Sequence, residues 1–139
     1  MKPRRLITLL AAAWLGALLA VALIAAPSAF AVLDRPAAGR LVGRLFALEA
    51  PISLVLALAV VLLERWRLRL ESAPVRPTAA MLMALVGLFC TVAGYYALQP
   101  MMEAARLGQG ALSFGVLHGL SMGFFGLKLL AVAVLAWRS

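Results

Sequence analysis

The sequence is poor in charged residues, acids and cysteine, and each shortage excludes a class of protein. Asp, Glu, Lys and Arg make up 13% of the 139 residues, against about 25% in typical soluble domains. The single cysteine excludes a disulfide-stabilised secreted scaffold. Five acids and one histidine leave few groups for hydrolysis, and no nucleophile–base motif or phosphate-binding loop is present. We therefore expect no enzymatic activity and no resident cofactor.

Apolar residues are instead abundant: they make up 65% of the chain, and its mean hydropathy is +1.05. A soluble domain of this length leaves roughly a third of its chain surface in water. Such a domain could not hide this many apolar side chains. The composition therefore predicts a protein that crosses a membrane several times, with the lipid bilayer as its main partner.

Four apolar runs are long enough to form membrane-spanning helices, at about residues 6–30, 40–65, 79–99 and 112–137. Only helices and closed β-barrels satisfy all their backbone hydrogen bonds in lipid. The sequence has no alternation of apolar and polar residues of the kind that a β-barrel requires. We predict an all-α membrane protein. Its single transmembrane domain, residues 1–139, would be a four-helix antiparallel transmembrane bundle with short loops.

The net charge of +8 comes from basic residues that lie almost entirely between the apolar runs. This placement argues against nucleic-acid binding and instead indicates orientation. On one side of the membrane we count Lys2, Arg4, Arg5, Arg65, Arg67, Arg69, Arg76 and Arg138. On the other side we count Arg35, Arg40, Arg44 and Arg106. The bias predicts that both termini are cytoplasmic (N-in/C-in) in a multi-pass protein, and the Arg-rich composition suggests a bacterial inner membrane.

The first apolar run also has features of a secretory signal peptide. Basic residues precede it, and Ala29-Phe30-Ala31 resembles a cleavage site. The run Leu6–Ala26 is 21 residues long, whereas the apolar region of a signal peptide has about 7–15. We predict that span one is retained, and cleavage that leaves three spans stays as the alternative.

Two ionisable residues within the runs define a candidate intramembrane polar site. Glu49 and His118 are each predicted to lie a few residues inside the non-cytoplasmic side, with Ser53 and Ser121 one helical turn away on the same helices. An ionisable residue within a membrane is a functional hypothesis by default. We predict a Glu49–His118 pair that serves as a proton relay or a cation site. The alternative is that both groups simply hydrogen-bond water and lipid headgroups.

Lys128 lies in the middle of the fourth run. A charge at the bilayer centre is costly, but a lysine stem can extend its ammonium group to the interface. We predict that Lys128 extends in this way toward Trp137. The alternative is a partner on another span, for which Glu64 would need to reach the ammonium group.

Prolines and small residues within the runs predict kinks and close helix contacts. The predicted kinks are at Pro27, Pro51 and Pro100. Small residues spaced four apart form faces on which helices approach closely, either within the chain or in a homo-oligomer. The glycines of these faces are Gly16, Gly115, Gly119 and Gly123.

A weaker sequence pattern concerns metal binding. Imidazole and thioether groups suit Cu(I), and one His with several Met falls near the same end of the predicted bundle. This candidate metal site comprises His118, Met122, Met101 and Met102. The alternative is that the methionines only fill gaps in the apolar interior.

Several short motifs resemble one family over nearly the whole chain. They are Trp14-Leu15-Gly16, Ala25-Ala26-Pro27 with Phe30, Gly43-Arg44-Leu45-Phe46, Leu98-Gln99-Pro100-Met101 and Leu117-His118-Gly119-Leu120-Ser121. Their order is similar to that in the transmembrane protein 205-like family, whose bacterial members are described as domain of unknown function 4149. The chain departs from the family pattern at Phe125 and Lys128. The resemblance implies a four-helix integral membrane protein and retention of span one, and it implies no activity.

Three functions emerge as expectations. The first is a non-enzymatic structural or membrane-homeostasis component. The second is a small proton-coupled transporter or efflux component that uses Glu49 and His118. The third is a membrane protein that handles Cu(I).

Overall fold

The computed structural model describes residues 2–139 and contains four long helices. Helix α1 covers Pro3–Val32, α2 covers Arg35–Leu70, α3 covers Ala79–Arg106 and α4 covers Phe114–Arg138. Each is long and apolar enough to cross a membrane. The prediction of an all-helical chain with four helices of membrane-spanning length and hydropathy is therefore confirmed.

Three of the helices begin directly after a capping residue. The side-chain oxygen of the cap accepts a hydrogen bond from the backbone N–H three positions later, which satisfies one of the unpaired amides of the first turn. The caps are Asp34 for α2, Thr78 for α3 and Ser113 for α4. These caps fix the depth at which every later side chain of each helix lies.

Two helices extend beyond the predicted spans. Helix α2 begins at Arg35, before the predicted start near residue 40, and ends at Leu70. Helix α3 continues past the predicted end near residue 99 to Arg106. The early start of α2 has a local cause, since Asp34 caps it and Pro36 lies in its first turn, where proline favours a helix.

The helices are irregular next to two of the three prolines for which kinks were predicted. A π-helical segment, Ala20–Ala25, precedes Pro27, and a second, Val92–Ala97, precedes Pro100. Proline removes a backbone hydrogen bond, and π turns are a common local adjustment. Helix α2 by contrast passes through Pro51 with no break in its α-helical pattern.

The interior of the bundle consists of one large aromatic residue surrounded by aliphatic and small side chains. Trp14 lies at its centre with Leu18, Val60, Val132 and Leu135, all almost fully buried. Large apolar side chains also cover the outside, as expected of a surface that faces lipid. The prediction that Trp14 and Cys90 are interior packing residues is confirmed.

The predicted glycine faces do not mediate packing between the helices of this chain. A Cβ added at Gly16, Gly115, Gly119 or Gly123 would meet no atom within 4 Å. The close contacts occur instead at Gly87, where a Cβ would lie 2.8 Å from Cη2 of Trp14, and at Gly94, 2.5 Å from Cβ of Phe124. The intramolecular interpretation was wrong because spacing alone does not show which side of a helix faces its neighbours. A homo-oligomer through these faces stays a prediction.

We expect Gly94→Ala to destabilise the protein, because the new methyl group would collide with Phe124 on α4. Overpacking of this kind costs about 1–3 kcal/mol. Thermal unfolding in detergent, followed by circular dichroism, measures the loss. Gly119→Ala is the matched control, since its methyl group meets open space. Equal unfolding temperatures for the two variants would contradict the packing described here.

Candidate functional site

Glu49 and Lys128 form an ion pair deep inside the bundle. Each lies fourteen positions after the first residue of its helix, Arg35 or Phe114, which corresponds to about 21 Å along the axis. Glu49 is 7% exposed and Lys128 is 3% exposed. Nζ of Lys128 lies 2.8 Å from Oε1 of Glu49. The two charges therefore satisfy each other where neither has bulk water.

A second hydrogen-bond branch joins Glu49 to α1. The hydroxyl of Ser53, one turn after Glu49 on α2, donates to Oε1 of the carboxylate. The indole N–H of Trp14 in turn donates to Oγ of Ser53, at 2.9 Å. The buried ring of Trp14 thus contacts the ion pair through a single hydroxyl. The prediction that Ser53 shares a face with Glu49 is confirmed.

A third branch joins Lys128 to α3. Its ammonium group also donates to Oγ1 of Thr91, at 3.3 Å, and Thr91 donates to the backbone carbonyl of Gly87, at 2.8 Å. The resulting network takes at least one side chain from each of the four helices. We call it the charge network and define it as Trp14, Glu49, Ser53, Thr91 and Lys128.

Aromatic rings lie beside the ammonium group. Nζ of Lys128 is 5.1 Å from the ring centroid of Phe125, and Phe46 meets that ring edge to face at 5.4 Å. A cation is attracted to the face of an aromatic ring, more strongly where water is absent. The rings therefore stabilise the charge of Lys128 on a side where no carboxylate contacts it.

The charge network borders a cavity of about 400 Å³. Glu49, Thr91 and Lys128 line it, and Arg35 and Arg106 line it at the ends of α2 and α3. Aromatic and apolar side chains form much of the remaining wall. They include Phe30, Phe46, Met102, Phe114 and Phe125. The cavity is thus a partly apolar space with three cationic groups and one carboxylate.

The comparisons with known proteins identify the family. A family model described as "Domain of unknown function (DUF4149)" matches residues 9–111. The chain belongs to the DUF4149 family. No curated protein and no solved structure matches the chain. The matched residues include Trp14, Glu49, Ser53 and Thr91 of the charge network, whereas Lys128 lies beyond them on α4.

In this DUF4149 protein the expected position of Lys128 was wrong. Its ammonium group does not extend toward Trp137, and it does not reach Glu64, which binds Arg67 at 2.7 Å instead. An acid at the same depth on a facing helix gives the ammonium group a partner without extension to the interface. The signal for this pairing was present in the sequence, because a cation in mid-membrane needs an anion nearby.

The predicted Glu49–His118 pair does not form. Within residues 2–139, no hydrogen bond or ion pair connects the two side chains. His118 lies ten positions before Lys128 on α4, about 15 Å away along the axis. It is exposed and stacks on Phe114, with ring centroids 5.8 Å apart. His118 does line the same cavity as Glu49, so the two residues share a space without a contact.

Ser121 has a structural partner rather than a charged one. Its hydroxyl donates to the backbone carbonyl of Gly94, at 2.9 Å, in the π-helical segment of α3. A π turn changes the pattern of backbone hydrogen bonds, and this side chain satisfies one of the carbonyls. Ser121 therefore attaches α4 to α3 near the wall of the cavity.

The candidate Cu(I) ligands are only partly brought together. His118, Met102 and Met122 line the same cavity, whereas Met101 is exposed and does not. Across the part of the chain that the structure describes, no group of three or more His, Cys, Asp or Glu could hold a metal ion. Cationic groups of Arg and Lys line the same space, and they repel a metal cation. The arrangement favours an anionic or neutral ligand over Cu(I).

We expect Lys128→Met to be far more damaging than the loss of both charges together. Removing one partner leaves a buried, uncompensated carboxylate, which costs about 3–5 kcal/mol, whereas replacement of the whole pair is often nearly neutral. Glu49→Gln combined with Lys128→Met should therefore recover most of the lost stability. Unfolding in detergent measures both variants. Additive losses in the double variant would contradict the ion pair, and Arg69→Met serves as an exposed control.

Proposed function

We propose that this DUF4149 protein is a non-enzymatic, proton-coupled transporter in which Glu49 and Lys128 form the working charge pair. The observation that carries the proposal is that this pair lies within four membrane-length helices and borders an open cavity. Ionisable residues inside membrane bundles mark substrate and proton pathways. The cavity gives water or a solute access to groups that the rest of the bundle excludes from solvent.

Proton binding would act through the carboxylate of Glu49. Its Oε1 accepts hydrogen bonds from both Lys128 and Ser53. A proton on Glu49 removes the negative charge that holds the ammonium group, and Lys128 then faces the cavity as an unpaired cation. An anionic solute can replace the lost carboxylate charge there. Proton uptake and anion binding are coupled in this way at a single position.

An apolar layer closes the pathway on the far side of the pair. Along α4, Lys128 borders the cavity, Val132 is fully buried, and Leu135 borders a second cavity at the other end of the bundle. Along α2, Val60 belongs to the same buried cluster and lies between Glu49 and Glu64. In this proposal the described arrangement is a closed state. Transport requires this layer to part, and the hydrogen bond from Trp14 to Ser53 connects the layer to the pair.

A structural role is the competing function, and one observation favours it. In the described residues, no buried side-chain nitrogen or oxygen lacks a hydrogen-bond partner. A fully satisfied polar network can serve only to fix one arrangement of the helices. The two functions predict different behaviour for a variant that loses both charges but keeps the fold.

A measurement of proton flux across a liposome membrane distinguishes the transport function from the structural one. We expect liposomes that contain the wild-type protein, an internal pH-sensitive dye and valinomycin to dissipate a pH gradient faster than liposomes with the Glu49→Gln, Lys128→Met double variant. The double variant keeps the packing but has no group that exchanges protons at this depth. Liposomes that contain Glu103→Gln, which alters an exposed acid, are the matched control. Equal rates for wild type and double variant would overturn the transport proposal.

Trp14 provides a second measurement on the same proteins. The chain has three tryptophans, so Trp66→Phe with Trp137→Phe leaves only the indole that is bonded to Ser53. We expect its fluorescence to change when the pH is lowered, because a proton bound by the pair would alter the hydrogen bonds of Ser53, to which the indole N–H donates. The change should vanish when Glu49→Gln and Lys128→Met are added. A pH-independent signal in both backgrounds would show that the pair does not exchange protons.

We further propose a bacterial inner-membrane location with both termini in the cytoplasm, and membership of the wider transmembrane protein 205-like group. Eight basic residues on the proposed cytoplasmic side against four on the other support the orientation. The helices would then alternate in direction.

Cysteine labelling tests the orientation. Cys90 is buried, so Cys90→Ala gives a background for single introduced cysteines. In intact cells, an impermeant maleimide should label Gln109→Cys and should label Ser139→Cys only after permeabilisation. The reverse pattern would show the opposite orientation.

A further inference from the structure

The second cavity lies at the opposite end of the bundle from the cavity that the charge network borders. It has a volume of about 910 Å³ and is bounded by the first turns of α1 and α3 and the last turns of α2 and α4. Four arginines line it: Arg4, Arg5, Arg67 and Arg138. Glu64 is the one acidic residue among its lining residues. The cavity therefore has a net positive charge of three.

One arginine of the four is already neutralised. Arg67 binds Glu64 at 2.7 Å and also pairs with Glu71. Between residues 2 and 139, no ion pair involves Arg4, Arg5 or Arg138. Three cationic side chains thus border one space without a direct ion pair to an acid. The three like charges repel one another, and an anion that enters this space is attracted by all three.

The cavity wall is apolar below the arginines. Ile7, Leu9, Met83, Val134 and Leu135 line it. A small inorganic anion would use the cationic rim and leave the apolar wall in water. A ligand with a negatively charged head and an apolar tail would contact both regions.

The position of this cavity matches the depth of lipid headgroups. Trp66 on α2 and Trp137 on α4 lie near the same end, and they are 45% and 91% exposed. Exposed tryptophans on membrane helices are enriched at the headgroup level. Basic pockets between membrane helices are known to hold anionic headgroups.

We infer that this cavity binds the phosphate ester of an anionic phospholipid headgroup, with Arg4, Arg5 and Arg138 as its ligands and the apolar wall in contact with an acyl chain. The site is separate from the charge network, and the inference does not depend on the transport proposal. A lipid bound here would join the ends of all four helices.

Native mass spectrometry of the detergent-purified full chain tests the inference. The protein is mixed with equimolar phosphatidylglycerol and phosphatidylcholine, and the retained lipid is identified. The test variant carries Arg4→Gln, Arg5→Gln and Arg138→Gln. The matched control carries Arg65→Gln, Arg69→Gln and Arg76→Gln, which remove the same charge from the same proposed side of the membrane without altering the cavity lining. Size exclusion and circular dichroism confirm that both variants are folded.

We expect wild type and control to retain phosphatidylglycerol in preference to phosphatidylcholine. The test variant should bind it at least about tenfold more weakly, because it lacks the three arginines that would contact the headgroup. Equal losses in the two variants would overturn the site, because they would show a general effect of charge. Displacement of the lipid by millimolar inorganic phosphate would overturn the assignment to a headgroup and indicate a free phosphate site.

Discussion

The ion pair of Glu49 and Lys128 is the constraint on which the arrangement of the four helices depends. A charge removed from water is costly, and its partner compensates only when the geometry is good and the remaining hydrogen-bonding capacity is filled. Ser53 and Thr91 fill that capacity, and Trp14 and the carbonyl of Gly87 complete the two branches. This requirement fixes the rotation of each helix about its axis. In an environment where apolar contacts are much alike in every direction, polar contacts of this kind give the bundle one arrangement.

The same requirement explains the close contacts elsewhere in the bundle. The ring of Trp14 reaches Ser53 only because Gly87 has no side chain in its path. On the cavity side, Gly94 allows Phe124 to approach, and Ser121 bonds the Gly94 carbonyl. The π-helical segment of α3 thus provides both a space and an acceptor for α4.

The sequence predicts the helices well and the site only in part. Apolar runs of sufficient length leave little freedom in a membrane, so the four spans were correct to within a few residues at most ends. The pairing of Glu49 with Ser53 followed from helical spacing. The partner of Glu49 was missed because α2 was expected to start later, which put Glu49 at the depth of His118. Counted from the caps Asp34 and Ser113, Glu49 and Lys128 lie at equal depth. The prediction that the glycine faces pack within the chain was wrong for a different reason, since the spacing of small residues does not reveal how a helix is rotated about its axis.

The ion pair also has a consequence for biogenesis, because its members are 79 residues apart in the chain. During synthesis α2 leaves the ribosome long before α4 does, and it carries a carboxylate whose counter-charge does not yet exist. An isolated helix with a central acid enters the bilayer at a cost of about 2.5–3.5 kcal/mol. The hairpin of α1 and α2 therefore lacks its full stability until α4 is inserted and Lys128 pairs with Glu49. Chains that stop before Lys128 would keep an uncompensated acid in the membrane.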